Sequence, residues 1–353
     1  MSEERLAILT EGAFDDHHAK TAHGVIRYGR RRVVAVVDSS QAGRTAVEVV
    51  PFCREPVPIV ASVAEAVALG ATALLVGIAP SGGKLTLEYR AVLLEAIEAG
   101  LDVEAGLHTI LAEDPALMTA ARRRGVRLRD LRLGPLDLDV PGHLADRPPG
   151  LRVVHSVGSD CAIGKKAVTL ELDAAARARG LRSAYVPTGQ TGIAIAGWGI
   201  AVDHVIADYV AGAADRLVRD GAGRGDLLFV EGQGAICHPA YSGVTVGLLH
   251  GTAPDALVLV HKAGATTING YPELQLPSLP ELIAAYEGLA RPVRPARVVA
   301  VALNTAALRS DDAAAAAVAE VEKACGLPAD DVVRFGAERL LEAVLAATRA
   351  RAA

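Results

Sequence analysis

The sequence predicts an α/β protein in two parts: a Rossmann-like parallel sheet domain over residues 1–140, then a P-loop NTPase-like, doubly wound domain over residues 141–353. Three observations predict it. Short apolar runs of strand length alternate with stretches whose apolar residues recur at three- and four-residue spacing, the βαβ pattern. One such run feeds "GSDCAIGKK" (158–166), a loop with the glycine and lysine that cradle phosphate. Between the halves, "LGPLDLDVPGHLADRPPGLR" (133–152) carries Pro135, Pro141, Pro148 and Pro149 and reads as a boundary.

Composition agrees and narrows the function. Hydrophobic residues make up 51% of the 353 and aromatics 3%, which suits Ala/Val/Leu-rich strands covered on both faces by helices. A formal charge of −5 argues against nucleic acid as a partner, and the basic run Arg122 to Arg124 reads as a solvated helix end. The four cysteines lie far apart and match no zinc or redox spacing, so a reducing, cytoplasmic setting is expected. No apolar run approaches the roughly 18 residues of a membrane span, and the acidic start "MSEERLAILTEG" is unlike a signal peptide, so no membrane partner is expected.

In the first half, strands are expected near residues 6–9, 33–37, 58–61 and 73–76, with a shorter one around Val103. In such a sheet, ligands collect at the carboxyl ends of strands, which points to "TEGAFDDHHAKTAHGVIRYG", "DSSQAGR", "GIAPSGGKL" and "AGLHT", with Ser81 and Gly82 as candidate substrate contacts. The first strand lacks a following GxGxxG, so a nicotinamide cofactor is not expected. Asp38 is either a ribose-binding acid or a turn aspartate. His17, His18 and His23 share no helix face suited to a metal, and with Lys20 and Arg27 they read as an anion-binding lip.

In the second half, strands are expected near 151–156, 183–187, 226–230, 256–261 and 297–303, then a capped alanine-rich helix, a strand "DVVRF" (331–335) and a final helix from Ala337. Measured back from Gly164 and Lys165, the usual GxxxxGK spacing puts the first glycine at Ser159, one place after Gly158. The loop residues Gly158, Ser159, Asp160, Cys161, Ala162, Ile163, Gly164, Lys165 and Lys166 are the candidate cofactor contacts, through backbone N–H groups at the helix start and the Lys165 ammonium. A hydroxyl normally follows the lysine and helps hold magnesium. Lys166 removes that ligand and adds a cation, which fits a phosphate held without metal, unless the side chain turns outward to water.

The spacing of Gly158, Asp160 and Gly164-Lys165 resembles the phosphate loop of dethiobiotin synthetase. The strand ending at Glu231 in "DLLFVEGQGAI" is similar to a stretch of that group whose glutamate serves the metal and phosphate end, and "RVVAVALNT" ends on Asn304, like the asparagine presented there to adenine. The whole chain resembles the domain-of-unknown-function family 1611, through "GSDCAIGKK", "PTGQTGIAIAGWGIAVDHVIADYVAGAAD", "VEGQGAICHPAYSGVTVGLLHGTAPDALVLVHKAG", "DSSQAG" and "APSGGKL". A described member is a D-glutamate N-acetyltransferase using acetyl-CoA. The resemblance therefore implies acetyl transfer from acetyl-CoA to the amino group of an acidic amino acid, with coenzyme A phosphates in the loop and Asn304 at its adenine.

Candidate substrate contacts are Thr188, Gln190 and Thr191 of "PTGQTG" and Lys262, which would balance a carboxylate. Asp208, His238 and Glu231 are the candidate catalytic residues, as an acceptor amine needs a cation-binding carboxylate and a base. The alternatives are an ATP- and magnesium-dependent carboxylate-activating ligase, with Asp160 and Glu231 on the metal, and a nucleotide-binding protein without turnover. A homo-oligomer is expected.

Overall fold

The computed structural model describes residues 4–79, 82–142 and 147–349. Two compact units are present, residues 1–134 with 190–201, and residues 135–189 with 202–353. Among the described residues no helix is long and apolar enough to cross a membrane.

The first unit holds strands β1 (Arg5–Leu9), β2 (Arg32–Val37), β3 (Ile59–Val60), β4 (Ala73–Val76), β5 (Asp102–Ala105) and β6 (Leu128–Asp130). They form one parallel sheet in the order β3-β2-β1-β4-β5-β6, the doubly wound arrangement that reverses direction between β1 and β4. Leu9, Val37, Leu74 and Val76 of the strands pack against Leu93 and Ile97 of the helix Leu87–Glu98, all buried. Asp38 knots the loops after β1 and β2: its carboxylate accepts from the N–H groups of Gly12, Phe14 and Ser40 and from the Thr10 and Ser40 hydroxyls. Burial pushes its carboxyl up, but these donors together hold it below the usual value. It is a turn-organising aspartate.

Residues 190–201 return to this unit. The Thr191 hydroxyl lies 2.7 Å from that of Thr21, Arg31 donates to the Ala194 carbonyl, and Gln190 fills the space beside Gly106, where a Cβ would come within 2.5 Å of its Cγ.

The second unit holds β7 (Arg152–Gly158), β8 (Ser183–Val186), β9 (Leu227–Val230), β10 (Ala256–Lys262), β11 (Thr267–Ile268), β12 (Tyr271–Gln275), β13 (Arg297–Asn304) and β14 (Ala329–Asp330). Its main sheet is parallel, in the order β14-β13-β10-β7-β9-β8, while β11 and β12 form a separate antiparallel hairpin. The strand expected at 331–335 is not formed: pairing with β13 is confined to Ala329 and Asp330, and Val332 to Phe335 turn instead. Asp331 causes this, since its carboxylate accepts from the N–H groups of Val333, Arg334 and Thr305. β7 is interior, so the phosphate loop leaves the middle of the sheet between the ends of β9 and β10.

Candidate active site

The loop after β7 is held by its carbonyls. Tyr286 donates to Gly158 O (2.7 Å), the Cys237 thiol to Ser159 O (3.2 Å), Lys165 Nζ to Asp160 O (2.6 Å) and the Asn304 amide to Ile163 O (3.0 Å). With these carbonyls bound outward, the N–H groups of Ile163, Gly164 and Lys165 have no protein acceptor among the described residues. N–H groups left open at the start of the helix Lys165–Ala178 have the chemistry that suits an anion. The backbone supports this shape at a cost: Gly164 has φ +109°, and Ala162 sits at φ +54°, a left-handed conformation costing about 1–2 kcal/mol without glycine.

Lys165 is only 7% exposed, and burial pulls its pKa down to about 8 against the opposing influence of Cys161, Asp160, Glu231 and Cys237. Tyr286 is fully buried, and its hydroxyl also accepts the Ile236 N–H (3.2 Å). Tyr286→Phe strands both groups, so a loss of about 2 kcal/mol is expected from the denaturant midpoint; a midpoint equal to the parent's would contradict this bracing role.

Glu231 follows β9 and is 7% exposed. Its Oε2 accepts from the Tyr185 hydroxyl (2.6 Å) and the Thr188 N–H (3.4 Å), while the Thr188 hydroxyl donates to the Glu231 carbonyl (2.8 Å). Oε1 has no protein donor among the described residues. Burial raises the Glu231 carboxyl, Lys166 opposes this most strongly, Tyr185 and Thr188 add to the opposition, and Asp203 works with burial. Lys166 is half-buried and its charge falls on Glu231.

Asp160, Cys161 and His238 bring ligand atoms within 4.8 Å of one another. All three serve Asn269, which precedes Gly270 at the tip of the β11–β12 hairpin. Asp160 Oδ2 accepts its N–H (2.7 Å), Cys161 Sγ accepts its side-chain amide (3.4 Å), and His238 Nε2 lies 3.2 Å from its carbonyl. His238 Nδ1 accepts the Ala240 N–H, so the ring proton is assigned to Nε2 and neither nitrogen offers a lone pair in this arrangement. The trio is a clasp on the hairpin. For magnesium, a lysine stands where the hydroxyl ligand of a phosphate loop would be, and each Asp160 oxygen accepts one backbone N–H, from Cys161 and from Asn269.

Residues 146–341 match a domain of unknown function described as the DUF1611 C-terminal P-loop domain, and residues 39–133 match the DUF1611 N-terminal Rossmann-like domain. The chain belongs to the DUF1611 family. Two curated relatives are each named D-glutamate N-acetyltransferase. The one from Tritonibacter scottomollicae is 41% identical over 80% of this chain and 84% of its own length; the one from Pseudoalteromonas is 34% identical over 79% and 83%. A crystal structure of a DUF1611 family protein from Anabaena variabilis superposes with a TM-score of 0.91 at 40% identity, covering 97% of this chain and 99% of that one.

Within this DUF1611 fold the other expected residues disperse. Asn304 is at the loop, where its amide donates to Ile163 O and its oxygen accepts the Ala306 N–H, which leaves one amide proton and one oxygen lone pair unused. Thr188 frames Glu231, whereas Gln190 and Thr191 lie in the first unit, Gln190 beside Gly106 and the Thr191 hydroxyl against that of Thr21. Lys262 is exposed at the end of β10, and Asp208 is exposed on the short turn Ala207–Tyr209. Asp203, in the preceding turn, is the carboxylate whose charge reaches Glu231. Gly82 belongs to the first unit with φ +77°, and Ser81 lies outside the described residues.

The anticipated anion-binding lip loses Arg27, which donates to the Phe52 carbonyl and lies 4.4 Å over its ring. His23 contacts the Phe14 carbonyl; the His17 side chain is outside the described residues. Sequence reasoning passed over Tyr185, Asn269 and Tyr286. Tyr185 alone left a trace, a phenol in the middle of the buried strand "SAYV".

Proposed function

We propose that this DUF1611 protein is an N-acetyltransferase that moves acetyl from acetyl-CoA to the amino group of an acidic amino acid, with D-glutamate as the first acceptor to test. The relatives' shared name supports acetyl transfer. The observation that carries the choice of donor is Lys166, a half-buried cation at the position where a metal-dependent phosphate loop has its hydroxyl ligand. The open loop N–H groups and the Lys165 ammonium then suit a phosphate group of coenzyme A. Glu231 and Asp203 offer negative charge to an acceptor ammonium, and Lys166 offers positive charge to a carboxylate.

The test is product formation. Purified protein, acetyl-CoA and a panel of D- and L-glutamate and aspartate are incubated, with thiol release followed and the product identified by mass. N-acetyl amino acid with stoichiometric free coenzyme A is expected. Product only when ATP and magnesium replace acetyl-CoA would overturn the reading.

Lys165 adds a pH dependence. With a pKa of about 8, the free protein carries a partly neutral lysine at pH 8. A phosphate beside it favours the ammonium and raises that pKa, so binding takes up protons and affinity falls as pH rises through 8. Calorimetry of acetyl-CoA binding at pH 8, in buffers of different ionisation enthalpy, should show net proton uptake; none, or release, would contradict the assignment of Lys165 to phosphate.

A further inference from the structure

The protein engages the carboxylate of Glu231 on one side only, through Oε2. Oε2 is fixed by two donors from β8 and the loop after it, the Tyr185 hydroxyl at 2.6 Å and the Thr188 N–H at 3.4 Å. Oε1, on a residue 7% exposed, has no protein donor among the described residues. A group held by one oxygen and open at the other is arranged to accept from something that arrives. The charged and titratable groups around it are Lys165 and Lys166 from the helix start, Tyr185 from β8 and Asp203 from the turn Val202–His204.

Resting on the acetyl-transfer reading, we propose that Glu231 Oε1 is the base that takes the proton of the acceptor ammonium, with Tyr185 and Thr188 as its positioning residues and Lys166 as the internal cation that compensates its charge. An ammonium has no lone pair, so one proton must leave before nitrogen can attack. That proton passes to Oε1. The amine then forms the C–N bond at the thioester carbonyl, the C–S bond breaks, and its electron pair leaves on the coenzyme A sulfur. A second nitrogen proton ends on that sulfur as the free thiol, and Glu231 returns its own proton to solvent.

The experiment compares parent, Glu231→Gln and Tyr185→Phe with two acceptors, D-glutamate and its 2-aminooxy analogue, whose nitrogen is unprotonated at neutral pH. For Glu231→Gln, kcat with D-glutamate should fall on the order of 100-fold, the usual scale for a lost general base. With the aminooxy acceptor the fall should stay within threefold, and acetyl-CoA affinity should be unchanged. Tyr185→Phe should lower kcat with D-glutamate alone, leaving the Kd for acetyl-CoA unmoved. Equal losses with both acceptors, or a retained rate with D-glutamate, would overturn the proposal while leaving acetyl transfer intact. A parent that makes no N-acetyl product defeats the acetyl-transfer reading and this one with it. Should the parent not turn over the analogue, Glu231→Ala with added formate decides: a rate that returns in proportion to formate supports the base, and no return rejects it.

Discussion

Replacing Gly232 with alanine is expected to leave the P-loop unit unable to fold. A Cβ at this position would lie 1.8 Å from the Ser156 carbonyl oxygen and 2.9 Å from its carbon. Ser156 belongs to β7, an interior strand paired with β9 on one side and β10 on the other, so it has nowhere to retreat. The Gly232 N–H also donates to the Ser156 hydroxyl (2.9 Å), and moving the chain away would break that bond as well. An overlap this deep in a packed sheet belongs with the exceptional substitutions that cost more than about 4–5 kcal/mol. Gly264→Ala is the control, because at φ +77° it meets no atom within 4 Å and carries backbone strain alone. Circular dichroism and soluble yield should separate the two; a Gly232→Ala protein melting like the parent would contradict the close approach of the loop after β9 to β7.

The second large effect is expected at Lys165. Lys165→Ala removes the buried ammonium while leaving the loop's other braces, Tyr286, Cys237 and Asn304, in place. Loss of a charge-assisted contact to phosphate should weaken acetyl-CoA binding at least tenfold, about 1.4 kcal/mol. Asp160 O loses its donor at the same time, so a modest fall in stability should accompany it. Titration calorimetry on the folded variant reads the affinity directly. An unchanged Kd would reduce the loop to a strand-to-helix turn.

The parts of this protein that were legible in its sequence are the local ones. Alternating apolar runs gave both parallel sheets, and "GSDCAIGKK" with "VEGQG" marked the loop and Glu231, because those motifs lie within a few residues of the chemistry they shape. What was hidden arrives from far along the chain. Tyr185 meets Glu231 because β8 pairs with β9, and Asn269 meets Asp160 through a hairpin 109 residues away. The return of residues 190–201 to the first unit left no mark, since "QTGIAIAGWGIA" is apolar enough for burial anywhere. The strand expected at 331–335 failed for a related reason: its β-branched residues favour pairing, but Asp331 captures the N–H groups of Val333 and Arg334 first. Lys166 is the instructive case. A lysine after Gly-Lys is visible in one dimension, and only the sheet shows that Glu231 receives its charge.

The claim on which the functional account turns is that this loop holds its phosphate with Lys166 in place of a metal. The most direct measurement is the Kd of the parent protein for acetyl-CoA, titrated once with excess EDTA and once with millimolar magnesium. The same Kd within about twofold is expected, a difference below roughly 0.5 kcal/mol. Binding that appears only when magnesium is present would contradict it.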